Sequence, residues 1–122
     1  MNTVRLKLDE TLRDGRWHER GLTIGERHLS IMLRQVQAGC WQAFVNACPH
    51  QGRRMDFAQD QFLVSPNGSL VCPAHGAEFR PDDGFCVTGP CRGASLQILH
   101  IEENPHDQSL ILSGPPLTSP QG

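Results

Sequence analysis

Tyrosine is missing from the sequence, and aromatic residues are few: five phenylalanines and two tryptophans in 122 residues. A chain of this size and composition builds one modest core and has no room for a second domain carrying a large substrate pocket. A basic stripe is missing too. The formal net charge is −2, which lacks the electrostatic footprint of a protein that holds nucleic acid or an anionic membrane. No stretch reaches the roughly 18 apolar residues that a spanning helix needs. The N-terminal MNTVRLKLDETLRDGRW alternates charged and apolar residues where a signal peptide would be continuously apolar. The reading is a cytoplasmic protein with neither nucleic acid nor membrane as a partner.

Long helices are also excluded, because 12 glycines and 9 prolines interrupt the chain at short intervals. Short strands fit what remains. VRLKL (4–8) alternates at period two, and LSIMLRQV (29–36) with WQAFVN (41–46) reads as a hairpin turning near Gly39. FLVSPNGSLVC (62–72) turns at Pro66-Asn67-Gly68, AEFRPDDGFCV turns at Asp83-Gly84, and SLQILHIEE pairs with SLILSG. Trp17 to Arg20 reads as a polar stretch after a turn at Asp14-Gly15. The closing PPLTSPQG carries no period and is expected to fray.

Five cysteines without a signal peptide point to thiols or metal ligands, not to a disulfide framework. Two of them begin related motifs: CPHQG at 48–52 and CPAHG at 72–76. Cys48 with His50, and Cys72 with His75, can each grip a metal from one loop. Thiolate and imidazole suit zinc or iron, whereas calcium and magnesium would call for carboxylates. A zinc site of two cysteines and two histidines usually separates the two residue types. A two-iron cluster with two cysteines on one iron and two histidines on the other takes one ligand of each type from each loop. The mixed pairs therefore favour iron and sulfur, with structural zinc as the alternative. Gly52 and Gly76 would let backbone N–H groups approach the sulfides, and Pro49 and Pro73 would stiffen the loops.

The two motifs resemble those of the Rieske iron–sulfur proteins, C-x-H-x-G-x-x-L followed by C-x-x-H-G-x-x-F. Here they stand as Cys48-Pro-His50-Gln-Gly52-Arg-Arg-Met55 and Cys72-Pro-Ala-His75-Gly76-Ala-Glu-Phe79, with Met55 in place of leucine. Gly89-Pro90 resembles the proline loop that covers the cluster. The resemblance implies an all-β fold, an antiparallel β-sandwich with a small cluster-binding subdomain over about 46–92. It implies one domain over 1–112 with a tail at 113–122, and one [2Fe-2S] cluster held by Cys48, His50, Cys72 and His75. The extra cysteines and hydroxyls of high-potential members are missing, their places being Arg53, Ala74, Ala77 and Phe79. A soluble, low-potential ferredoxin is implied, towards the low end of roughly −150 to +300 mV.

Such a protein would be a monomeric one-electron carrier between a reductase and an oxygenase-like terminal enzyme, with no catalytic residues of its own. The alternatives are the small subunit of a larger oxidoreductase such as a nitrite reductase, and a redox or iron sensor. Cys86 and Cys91 are read as partly buried thiols flanking the proline loop, with a disulfide as the other possibility, and Cys40 as a bystander. His18, His28, His100 and His106 lack partners at ligand spacing. Asp56, Asp60, Glu78, Asp82 and Asp83 form either a solvated face or a docking face for a basic partner. Arg53 and Arg54 either act on the cluster or meet solvent or a partner.

Overall fold

The computed structural model describes residues 3–49 and 52–114. Eleven strands follow one another in the described chain: β1 (Thr3–Lys7), β2 (His18–Ile24), β3 (Arg27–Gln37), β4 (Cys40–Val45), β5 (Asp56–Ala58), β6 (Gln61–Val64), β7 (Leu70–Val71), β8 (Glu78–Phe79), β9 (Cys86–Thr88), β10 (His100–Asn104) and β11 (Ser109–Ser113). A 3₁₀ turn at Glu10–Arg13 separates the first two. Among the described residues there is no α-helix, and so no helix long and apolar enough to cross a membrane.

The strands form three antiparallel sheets, ordered β1-β11-β10, β2-β3-β4 and β5-β6-β7-β8-β9. The first two are stitched together just before β10, where Val45 N–H donates to Gln97 C=O at 2.9 Å and Leu99 N–H donates to Ala43 C=O at 3.0 Å. The β2-β3-β4 sheet is the middle layer. On β3, Ile31 and Leu33 enter the core shared with Leu110 and Leu112 of β11. Met32, between them, enters a second core with Met55, Leu70 and Phe79. The same division separates Ala43 and Val45 from Phe44 on β4. A sheet buried on both faces needs apolar residues on both, which explains the unbroken runs IML and AFV.

All five segments read as strands or hairpins from the sequence are formed. The stretch from Trp17 to Arg20 differs, because residues 18–24 are β2 and pair with β3 from His18↔Leu33 to Ile24↔Arg27. Its polar side chains are drawn into contacts made by folding. His18 lies between Asp14 (2.8 Å) and Asp60 (3.3 Å), and Glu19 accepts from Ser30 Oγ at 2.6 Å. A period-two pattern with charges on the partly buried face leaves no apolar signal to find. The expected tail lies outside the described residues from 115 onward.

Candidate metal centre

Three hairpins after β4 share the pattern X-Pro-x-x-Gly: Cys48 to Gly52, Cys72 to Gly76 and Arg80 to Gly84. Their closing hydrogen bonds are equivalent. Gly52 N–H donates to Cys48 C=O (2.7 Å) and Cys48 N–H to Arg53 C=O (2.7 Å). Gly76 N–H donates to Cys72 C=O (2.8 Å) and Cys72 N–H to Ala77 C=O (2.8 Å). Gly84 N–H donates to Arg80 C=O (2.8 Å) and Arg80 N–H to Phe85 C=O (2.9 Å). Proline pre-sets φ at the first loop position, where no N–H is needed, and the last position is left-handed, with φ of 70°, 75° and 75°. Glycine is required there because a Cβ disfavours that region. The glycine amides close the loops by donating to the cysteine carbonyls, and both glycines have the positive φ that the sequence reading asked of them. The third hairpin carries no cysteine or histidine. An Arg80–Asp83 ion pair spans it, and Gly84 is pressed so close to Phe44 that an added Cβ would lie 2.9 Å from the ring.

The first two hairpins bring Cys48 and Cys72, both fully buried, into one apolar cluster with Met55, Ala77 and Phe79. His75, three residues beyond Cys72, is exposed. His50 lies outside the described residues.

The base of the first hairpin is clamped by a residue that the sequence did not single out. Asn46 Oδ1 accepts from Met55 N–H at 2.7 Å, and Asn46 Nδ2 donates to Ser30 Oγ (3.1 Å) and Asp56 Oδ1 (3.0 Å). Arg54 adds a bidentate pair to Asp56 at 3.0 and 2.8 Å and approaches Glu19 at 3.4 Å. Arg54 is therefore engaged with these two carboxylates. Burial alone would raise the Asp56 carboxyl, but the Arg54 and Asn46 hydrogen bonds outweigh it and hold the group below its usual range. Its stabilising effect is complete above the unfolded-state value of about 3.9 and is lost as pH falls through the lower folded-state value. In urea titrations of the holoprotein, stability should decline on acidification below about pH 4, and the decline should be shallower in Asp56→Asn. Identical slopes for the two proteins would rule out this coupling.

Two other members of the acidic set are similarly occupied. Asp60 accepts from Glu19 N–H (2.9 Å) and contacts His18 and Arg20, and Asp83 accepts from Arg80 and Phe85 N–H. Asp56, Asp60 and Asp83 thus serve internal contacts, which removes three of the five acids from an uncommitted docking face. Among the histidines, His18 meets Asp14 and Asp60, His28 meets Thr23, and His100 meets Glu102.

A fourth loop, 88–92, lies over the second hairpin. At Gly89 the backbones touch so closely that an added Cβ would sit 2.7 Å from Ala77 Cα. Cys86 and Cys91 flank this loop as buried thiols, their sulfurs 3.4 Å apart and not joined in a disulfide. Cys91 Sγ is also 3.9 Å from Cys48 Sγ. Burial first, then the neighbouring Cys86 and Cys48, pushes the Cys91 thiol well above its usual range, so it keeps its proton at neutral pH. Cys40 is exposed at the start of β4.

Two hairpins of equivalent hydrogen bonding each offer a buried thiol, one with an exposed imidazole beside it, and these are donor types that an iron–sulfur cluster uses. A family model described as Rieske [2Fe-2S] domain matches residues 3–104. The chain belongs to that family and is an electron-transfer module with one [2Fe-2S] cluster per domain. The described donors fit that group, since thiolate sulfur and imidazole nitrogen are its two ligand types.

Solved structures with the same fold include the terminal oxygenase of carbazole 1,9a-dioxygenase from Novosphingobium sp. KA1, with 17% identity and a TM-score of 0.70 over 93% of this chain. A chain of the reduced complex between oxygenase and ferredoxin in carbazole 1,9a-dioxygenase matches at 14% identity and TM-score 0.67 over 95%. A chain described as the small subunit of an NADH-dependent nitrite reductase from Mycobacterium tuberculosis matches at 18% and 0.65 over 93%. The present chain spans 30% of each of the first two and 96% of the third. No curated protein matches by sequence.

Proposed function

We propose that this chain is a one-electron carrier that passes electrons between a reductase and an oxygenase-like terminal enzyme. Its ligands would be Cys48 and Cys72 to one iron and His50 and His75 to the other. The observation that carries the reading is the asymmetry of the second hairpin, where the thiol of Cys72 is sealed and the imidazole of His75 is exposed. When bound, the cluster supplies reversible one-electron transfer. The buried cysteines place one side of the site in a low dielectric, and the exposed histidine side is where a partner can approach. The hairpins' closing hydrogen bonds hold the ligand backbone in one geometry, which keeps the rearrangement between redox states small.

The same reading makes the protein a monomer and not an enzyme by itself, a single domain over 1–112 with 46–92 as the cluster-binding part. It also assigns the protein to the cytoplasm, the compartment in which free thiols persist. The near-complete mutual coverage with the nitrite reductase small subunit supports a second reading, a permanent small subunit of a larger oxidoreductase. A tagged copy expressed at native level separates them. A carrier elutes alone as a monomer and is reduced by NADH or NADPH only when a reductase is added, whereas a permanent subunit copurifies in fixed ratio with a large partner. Partners that exchange on reduction would replace both with a sensor.

A further inference from the structure

We propose that Cys91 donates its S–H to the sulfur of Cys48 and thereby raises the reduction potential of the cluster. The inference rests on Cys48 being a ligand, as set out above. Three sulfurs and one carbonyl form a short chain: Thr88 C=O to Cys86 Sγ at 3.1 Å, Cys86 Sγ to Cys91 Sγ at 3.4 Å, and Cys91 Sγ to Cys48 Sγ at 3.9 Å. Each thiol has a single proton to give. The Cys86 proton has a carbonyl oxygen in reach, a far better acceptor than sulfur, which leaves Cys91 to choose between two sulfurs. Beside a neutral thiol at Cys48 the nearer Cys86 is the better acceptor. Once Cys48 is a thiolate, the charge-assisted bond to it is the stronger.

The setting makes this bond count. Cys48 and Cys86 are fully buried and Cys91 is 7% exposed, so water neither competes for the proton nor screens the charge. The contact of Gly89 with Ala77 fixes the loop that carries Cys91. Reduction adds negative charge that the ligand sulfur shares, so the donated bond is stronger in the reduced state, and the reduced state is favoured. No bond to hydrogen breaks, and no proton accompanies the electron at this site. The sequence suggests a low potential because Ala77 and Phe79 lack hydroxyls; Cys91 supplies a donor to a ligand sulfur from a third direction.

The test compares wild-type holoprotein with Cys91→Ala, Cys91→Ser and Cys86→Ala by protein-film voltammetry and by redox-difference infrared spectroscopy. The potential should fall in Cys91→Ala, recover at least part of the shift in Cys91→Ser, and not fall in Cys86→Ala, which leaves Cys48 as the only sulfur acceptor for Cys91. Wild type should show an S–H stretching band that moves to lower frequency on reduction, shifts in heavy water and disappears in Cys91→Ala. An unchanged potential in a fully loaded Cys91→Ala protein overturns the proposal. So does an equal fall in Cys86→Ala, which would report a loosened loop. If Cys91→Ala takes up no cluster, a wild-type spectrum without a redox-sensitive S–H band overturns it. Wild-type protein that binds zinc without sulfide would instead refute the ligand assignment, and the proposal with it.

Discussion

Cys72→Ser and His75→Ala should each yield a folded chain without two-iron absorbance, falling from about two irons and two acid-labile sulfides per chain to almost none. The size of the effect follows from how the donors are distributed. If each hairpin gives one thiol and one imidazole, as proposed, losing either leaves one iron with a single protein ligand, and three of the other described histidines are engaged elsewhere. His18 is held by Asp14 and Asp60, His28 by Thr23, and His100 by Glu102. Cys40→Ser is the contrast: its side chain is exposed at the β3–β4 turn, and its replacement should keep iron and sulfide at the wild-type level. Iron and sulfide assays with visible spectra on the three purified variants decide the matter. A full two-iron spectrum from His75→Ala would remove that residue from the ligand set.

The parts of this molecule that were legible in the sequence are those whose information is local. Pro66-Asn67-Gly68 and Pro81-Asp82-Asp83-Gly84 announce turns by residue type alone, and both join paired strands as expected. The turns that close Cys48 to Gly52 and Cys72 to Gly76 are legible for the same reason, since a proline and a glycine within five residues set each of them. β2 was not, because HERGLTI buries polar groups that find their partners at Asp60, Ser30 and Arg54, far along the chain. Asn46 was not, because an asparagine next to Ala47-Cys48 has no signature until the fold brings Met55 N–H and Asp56 to it. The contact between Cys91 and Cys48 spans 43 residues and two loops, and spacing along the sequence cannot encode it.

That long-range closure depends on one backbone contact, and the second large effect is expected there. At Gly89, φ is +99°, a region that residues with a Cβ rarely enter, and the added Cβ of alanine would lie 2.7 Å from Ala77 Cα, 3.0 Å from its Cβ and 3.2 Å from its N. The obstacle is main chain, so no side-chain rotation relieves it. Either the 88–92 loop lifts or Ala77 moves, and Ala77 C=O accepts the Cys72 N–H that closes the second ligand hairpin. Gly93 separates the two costs, because its φ is +96° and an added Cβ meets nothing within 4 Å. Gly93→Ala should carry only the backbone strain, on the order of 1–3 kcal/mol. Gly89→Ala should add overpacking of roughly 1–3 kcal/mol against a core that cannot yield. Because the lifted loop also uncovers the sulfurs, Gly89→Ala should lose its cluster to an iron chelator faster than both wild type and Gly93→Ala. Urea unfolding of the three holoproteins, together with the decay of visible absorbance under chelator, tests both parts. If Gly89→Ala proved no less stable and no more labile than Gly93→Ala, the loop would not be what holds the second hairpin closed.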